Sequence, residues 1–164
     1  MKSKIGFLLF IFTFLCVFVF NNLQAQSVDK TQGKIPDFLL VTTDGTKVQT
    51  SSIKGKLVIV LFQPDCDHCQ REAKEIKEHL KAFENYSVYF VSPAPMDEIA
   101  RFADEYGLEG EDNFFFAYTD LMNILNSFGG VQTPSLYIYG DNQQLVKAFN
   151  GETPIGKSCC ISDH

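Results

Sequence analysis

The pattern of apolar and polar positions after residue 34 alternates between strand-like and helix-like segments. A continuous apolar run at 57–62 is typical of a strand buried on both faces of a sheet, and a second buried strand is predicted at 87–91. Further strands are predicted at 35–41, 47–49, 114–118, 135–139 and 144–150, with turns at Asp44-Gly45 and at 140–142.

Three segments with helical period lie between these strands. The first begins just after Asp65 and continues to Phe83, the second ends at Gly107, and the third covers 121–128. This order of elements predicts an α/β fold with a central mixed sheet flanked by helices, preceded by an N-terminal β-hairpin.

The first 25 residues have the composition of a secretory leader. Lys2 and Lys4 precede an apolar or small run at 5–20, and the small residue Ala25 follows it. This run is shorter than the roughly 20 residues that a membrane-spanning helix needs. We therefore expect a signal peptide at 1–25 that is cleaved, with an uncleaved membrane anchor as the alternative. Either way the protein is exported, and in a Gram-negative bacterium it is periplasmic.

The chain beyond the leader has the length of one domain. We expect a flexible lead-in at 26–34, a folded domain at 35–152 and a short tail at 153–164. The whole chain has 14 basic and 20 acidic residues, and removal of Lys2 and Lys4 leaves a net charge of −8. Such an acidic surface argues against nucleic acid as a partner. We expect a monomer with no membrane span once the leader is removed.

The sequence Cys66-Asp67-His68-Cys69 falls between a predicted buried strand and an amphipathic helix. Two cysteines at this spacing can form a reversible disulfide. Because the first turn of a helix directs free N–H groups and its positive dipole end at the first sulfur, a thiolate is favoured there. We therefore interpret Cys66 as the attacking thiol and Cys69 as the resolving one. His68 would lower the pKa of Cys66 further, whereas Asp65 and Asp67 oppose this effect.

Other uses of these cysteines stay open. Cys66, Cys69 and His68 could bind a metal such as Cu(I), and the two cysteines could form an inert structural disulfide. In the tail, the adjacent Cys159 and Cys160 are poorly spaced for a shared zinc ion. That pair could relay disulfide exchange to Cys66 and Cys69, bind Cu(I) together with His164, or have no role.

Six short segments resemble, in type and in order, the redoxin branch of the thioredoxin superfamily. They are Ile35-Pro36-Asp37-Phe38, Asp44-Gly45, Lys54-Gly55-Lys56, the buried strand ending at Phe62, Cys66-x-x-Cys69 and Val131-Gln132-Thr133-Pro134. Over about residues 35–151 the chain is similar to the AhpC/TSA-related, TlpA/ResA-like exported thiol–disulfide oxidoreductases. The resemblance implies a thioredoxin-like fold and a cofactor-free enzyme that acts on protein disulfides. It also implies a membrane or periplasmic electron donor, and a reductant more often than an oxidant.

The resemblance assigns roles to further residues around the dithiol. The proline that matches Pro134 is cis and packs opposite the dithiol, and the backbone of Thr133 would bind an extended substrate strand. The alternative is an ordinary trans turn. A family glutamate matches Glu72, which would raise thiol pKa values and accept the proton of Cys69. Its alternative is one more solvated charge on the helix.

Several positions depart from the family pattern. Asp65 replaces the aromatic residue that usually precedes the first cysteine, and Val60 lies where cytosolic thioredoxins have a buried acid. No helical period follows Gly151, so the last helix of the family is expected to be absent or reduced. A peroxiredoxin-like thiol peroxidase is a further alternative, but Gln63 lies where the peroxidatic motif has its threonine.

Overall fold

The apolar run at 57–62 forms an interior strand, β3 (Lys56–Leu61), of the computed structural model, which describes residues 33–153 and 155. The side chains at 57–60 have no exposed surface because the sheet is covered on both faces. This strand carries the chain directly to the loop before Cys66.

The described residues form a seven-stranded sheet in the order β2-β1-β5-β4-β3-β6-β7. Strands β3, β4 and β5 are parallel, and the other neighbouring pairs are antiparallel. The mixed sheet and the N-terminal hairpin β1–β2 confirm the predicted fold class. The remaining strands are β1 (Leu39–Thr42), β2 (Lys47–Gln49), β4 (Tyr86–Ser92), β5 (Phe114–Tyr118), β6 (Ser135–Tyr139) and β7 (Leu145–Asn150).

Helices cover both faces of this sheet. Helices α1 (Asp67–Glu78) and α2 (Met96–Glu105) pack on one face, where the ring centroids of Phe62 and Phe102 are 4.7 Å apart. Helix α3 (Leu121–Phe128) packs on the other face. No helix in the described part of the chain is long and apolar enough to cross a membrane.

Some predicted boundaries are wrong. The first strand was predicted at 35–41 but covers Leu39–Thr42, because Pro36 has no N–H and Phe38 N–H is bound by the Thr50 side chain. The first helix was predicted to continue to Phe83 but ends at Glu78. It is followed by a 3₁₀ turn at Leu80–Phe83.

The packed chain also extends beyond its expected limits at both ends. Gly33 O accepts a hydrogen bond from Leu145 N–H at 2.9 Å, although the lead-in was expected to be flexible up to residue 34. Thr153 and Ile155 are buried, although the tail was expected to begin at 153. The signal peptide and the pair Cys159-Cys160 lie outside the described residues.

Candidate active site

The two cysteines occupy the N-terminal end of α1. Cys66 is the N-cap residue with extended backbone angles (φ −90°, ψ 116°), and Cys69 is the third residue of the helix. A turn after β3, with Cys66 N–H donating to Gln63 O at 3.2 Å, leads the chain into this position. Cys66 is half-buried and Cys69 is buried, and both are free thiols.

The loop before β6 lies against these sulfurs. Because Leu61 at the end of β3 pairs with Ser135 at the start of β6, the residues just before Ser135 are held next to the dithiol. Thr133-Pro134 is a cis peptide bond, as the family resemblance implied. The Cys66 Sγ lies 3.6 Å from the carbonyl oxygen of Thr133. The structure therefore brings Cys66, Cys69, Thr133 and Pro134 together.

The surroundings shift the two thiols in opposite directions. Burial raises the pKa of Cys66, but the Cys69 thiol and the backbone N–H groups of Cys69 and His68 stabilise its thiolate. The net effect holds the pKa of Cys66 below its ordinary value. Burial raises the pKa of Cys69 to about 12, and the neighbouring Cys66 adds to this effect. Cys66 is therefore the thiol of the pair that ionises more readily, and Cys69 is protonated at neutral pH.

Glu72 is buried on the same face of α1 as Cys69. Its side chain is only 2 % exposed, so the alternative of a solvated surface charge is wrong. The Thr153 backbone N–H donates to Glu72 Oε2 at 2.7 Å, whereas Oε1 is buried without a hydrogen-bond partner among the described residues. Burial raises the pKa of Glu72, and the Thr153 hydrogen bond opposes that shift. A buried carboxylate with a free oxygen is suited to accept a proton.

His68 points away from the buried face and is exposed. Its Nδ1 contacts the Glu152 carboxylate and lies 2.7 Å from Arg71 Nη2. The Arg71 Nε–H donates to Glu152 Oε1 at 3.0 Å. Sequence reasoning missed Arg71, Glu152 and Thr153. Only Arg71 had a local signal, since it lies three residues after His68 on the same helix.

An open cavity of about 310 Å³ lies beside the dithiol, lined by Pro64, Asp65, Glu98, Arg101, Phe102 and Glu105. Strands β3 and β4 are parallel, so the loop after β3 and the helix after β4 meet at one edge of the sheet and enclose this cavity. Within the described chain, its three carboxylates form no ion pair. The wall next to Cys66 is therefore acidic.

The metal-binding alternative finds no support in the donor geometry. Among the described residues, the group of three potential metal ligands whose donor atoms all lie within 4.8 Å of one another is Glu75, Glu78 and His79. Cys66, Cys69 and His68 do not converge in this way, because His68 faces Glu152.

Comparison with known proteins places the chain in a family. Residues 31–148 match the model of the AhpC/TSA family. Protein TlpB of Flavobacterium psychrophilum is 27% identical over 147 residues, which are 82% of this chain but only 38% of TlpB. Thiol-disulfide oxidoreductase ResA of Bacillus subtilis is 23% identical over 153 residues, which are 90% of this chain and 83% of ResA.

The fold agrees with this assignment. The crystal structure of a secreted Mycobacterium tuberculosis disulfide oxidoreductase, homologous to Escherichia coli DsbE, superposes with a TM-score of 0.59 at 18% identity. The match covers 69% of this chain and 82% of that chain. A likeness at this identity supports the thioredoxin-like fold, and the family match covers most of the chain. The chain therefore belongs to the AhpC/TSA family, as a redoxin of the TlpA/ResA type.

Proposed function

We propose that this protein is a thiol–disulfide oxidoreductase that reduces protein disulfides in an exported compartment. The observation that carries this proposal is the unequal ionisation of two thiols in one helical turn. Cys66 is half-buried with a lowered pKa, whereas Cys69 is buried with a pKa of about 12. Reduction of a disulfide by a dithiol requires one thiolate that attacks the substrate and a second thiol that later resolves the mixed disulfide.

In the first step, the Cys66 thiolate attacks one sulfur of a substrate disulfide. A Cys66–substrate disulfide forms, the substrate's S–S bond breaks, and the second substrate sulfur leaves as a thiolate. The backbone of Thr133 lies beside Cys66 Sγ and supports a role in holding an extended substrate segment. The cavity beside Pro64 and Asp65 offers room for residues that flank the substrate cysteine.

In the second step, Cys69 must lose its proton before it can attack Cys66. Glu72 lies one helical turn further along the same buried face and has a free carboxylate oxygen. We assign it as the acceptor of the Cys69 proton. The Cys69 thiolate then attacks Cys66 Sγ, the intramolecular disulfide forms, and the first substrate sulfur leaves. Two electrons have then passed from the dithiol to the substrate.

The direction and location of the reaction rest on different observations. The basic and apolar leader at 1–25 supports export. The likeness to ResA, a thiol-disulfide oxidoreductase, supports the class of reaction. The choice of reduction rather than oxidation follows from the family resemblance of the sequence motifs around the dithiol. A reductant must be recharged, so we include a membrane or periplasmic dithiol donor in the proposal.

Trapping of the mixed disulfide tests the two cysteine roles. In C69S, Cys66 can attack but the mixed disulfide cannot be resolved. We therefore expect a stable adduct with a model peptide disulfide, visible by non-reducing electrophoresis and mass spectrometry. The matched variant C66S should form no adduct on Cys69 at neutral pH. An adduct on Cys69 in C66S, or none in C69S, would overturn the assignment.

The reduction potential tests the direction. Equilibration of the Cys66–Cys69 couple with glutathione should give a value near that of thioredoxin, about −270 mV, for a reductant. A value near that of DsbA, about −120 mV, would contradict the proposed direction.

A further inference from the structure

Residues 151–153 and 155, which we call the strap, follow β7 and contact both the cis-proline loop and helix α1. Gly151 N–H donates to the carbonyl oxygen of Pro134 at 2.8 Å. Glu152 contacts His68 and Arg71, and Thr153 N–H donates to Glu72. One short segment thus joins the cis-proline loop to the helix that carries both cysteines.

The strap and α1 are paired in register. Arg71 and Glu72 are consecutive on the helix, and Glu152 and Thr153 are consecutive on the strap. The outer pair, Arg71 with Glu152, is exposed, whereas the inner pair, Glu72 with Thr153, is buried. Since adjacent residues of the strap form the two pairs, the position of the outer contact constrains the position of the inner one.

The strap is also fixed beyond the inner pair. Ile155 is buried in the core that lies under α1, and its N–H donates to the carbonyl oxygen of Thr153 at 2.8 Å. The strap therefore has three attachments: Pro134, the α1 surface and the core. Only the α1 attachment depends on an exposed charged side chain, so Glu152 can be removed without opening the core.

We propose that Glu152 is a positioning residue: its contacts with Arg71 and His68 hold the Thr153 N–H on the Glu72 carboxylate. This inference rests on the proposed function in one respect, the role of Glu72 in taking the Cys69 proton. Glu152 itself touches no reacting atom. It acts through Thr153, whose N–H is the hydrogen-bond donor that the structure gives to this buried carboxylate.

Glu152 acts on Glu72 in two opposite ways. As a charge, it disfavours ionisation of Glu72, as does Glu75 on the same helix. As a positioning residue, it secures the Thr153 hydrogen bond, which favours the ionised carboxylate. The charges that face Glu152 are Arg71 and, when protonated, His68. Variants that separate charge from position therefore shift the ionisation of Glu72 in opposite directions.

Two substitutions at Glu152 provide this separation. E152Q removes the charge but keeps an oxygen that can accept from Arg71, so the strap stays in place and Glu72 should ionise at the same or a slightly lower pH. E152A removes both charge and contact. Its Glu72 should ionise at a pH about one unit higher, the size expected for loss of one charge-assisted hydrogen bond.

The measurement is a pH titration of the glutamate side-chain ¹³C resonances in the full reduced protein, with E72Q identifying the Glu72 signal. E111A is the matched control, because Glu111, which also lies far along the sequence from α1, forms an ion pair with Lys77 of that helix at 2.8 Å. It should leave the Glu72 titration unchanged. If E152A leaves the pKa of Glu72 unchanged, or lowers it as E152Q does, the positioning role of Glu152 is refuted.

A kinetic measurement tests whether the ionisation of Glu72 controls the resolving step. The pH dependence of the resolving step, measured by stopped flow with a model peptide disulfide, should move with the Glu72 titration in E152A. The same substitution in an E72Q background should produce no such shift. An NMR shift without a kinetic shift would leave Glu152 as a positioning residue and would refute the proton-accepting role of Glu72. Failure of C69S to form an adduct would refute the proposed function alone.

Discussion

Cys66 and Cys69 differ in their surroundings although they are three residues apart. Cys66 lies before the first turn of α1, where backbone N–H groups face its sulfur. Cys69 lies one turn further on, is 1 % exposed and packs in the apolar core with Phe62 and Ala73. The unequal pKa values of the thiols follow from this single helical turn rather than from the residues between them.

The buried Cys69 thiol should make the reduced protein less stable in alkali. Its folded pKa of about 12 exceeds that of an unfolded cysteine, so above about pH 9 the unfolded state loses this proton and the folded state keeps it. Stability then falls by about 1.4 kcal/mol per pH unit. The lowered pKa of Cys66 makes the folded state more stable as the pH rises. This gain in stability is complete once the pH exceeds the pKa of an unfolded thiol. Tyr139, whose pKa burial also raises, adds its effect only above pH 10.

Urea unfolding of the reduced protein between pH 8 and pH 10 measures this effect. We expect the free energy of unfolding to fall by about 1.5 kcal/mol across this range. The fall should be absent in C69S, and also in the protein whose Cys66 and Cys69 are joined in a disulfide, where neither of these thiols titrates. An equal fall in C69S would assign it to other groups and contradict the burial of an un-ionised Cys69.

Part of this site could be predicted from the local sequence. Cys66, Cys69 and Thr133-Pro134 were predictable because each belongs to a short motif next to a recognisable strand or helix. The burial of Glu72 also had a signal, since Cys69, Glu72, Ala73 and Ile76 repeat at three and four residues on one face. The hydrogen-bond partner of Glu72 had no such signal in the sequence, because Thr153 is 81 residues away and only the sheet brings it close.

At the scale of elements, Thr50 connects the N-terminal hairpin to the segment before it. Its Oγ1 accepts from Phe38 N–H at 3.0 Å and lies 2.6 Å from the carbonyl oxygen of Pro36. Its own N–H donates to Phe38 O at 3.0 Å. This one buried side chain replaces the ladder hydrogen bonds that the predicted strand at 35–41 would have made.

Replacement of Thr50 by valine tests this connection. T50V keeps the shape of the side chain but leaves Phe38 N–H without its acceptor in a buried place, so we expect a loss of about 2 kcal/mol in the free energy of unfolding. T50S keeps the hydroxyl and should cost less than half as much. Urea denaturation with an unchanged m value checks both variants. Equal losses would show that the methyl group contributes as much as the hydroxyl, and would contradict a dominant role for these hydrogen bonds.

Strands and helices were predictable to within a few residues because their apolar periods are local properties. The neighbours of each strand were not. The hairpin β1–β2 joins the sheet through β1 and β5, which pair antiparallel at Val41 and Tyr118. That pairing depends on contacts between distant segments, so the periodicity within either segment does not predict it.

At the scale of the whole molecule, negative charge is the main electrostatic feature. The chain has 20 acidic and 14 basic residues, and the cavity beside Cys66 has Asp65, Glu98 and Glu105 against the single cation Arg101. A substrate segment that extends from Cys66 past Asp65 would meet this wall. We therefore expect faster reaction with disulfides that are flanked by lysine or arginine.

Paired peptide disulfides with basic or acidic flanks measure this preference through kcat/KM. At about 10 mM salt, where the Debye length is roughly 30 Å, E98Q/E105Q should slow the basic peptide about threefold. The matched control E84Q/D141N makes the same change in charge at the opposite edge of the sheet. Glu84 precedes β4 and Asp141 follows β6, whose ends pair with the start of β3 near Lys56 and Leu57.

Salt distinguishes local from global electrostatics. At about 1 M salt the Debye length is roughly 3 Å, so the difference between the basic and acidic peptides should largely disappear in the wild-type protein. If E98Q/E105Q and E84Q/D141N slow the basic peptide equally, the attraction comes from net charge, and the cavity has no part in substrate choice. A preference that persists in E98Q/E105Q at low salt would place the recognising carboxylate elsewhere, with Asp65 the next to replace, because it directly precedes Cys66.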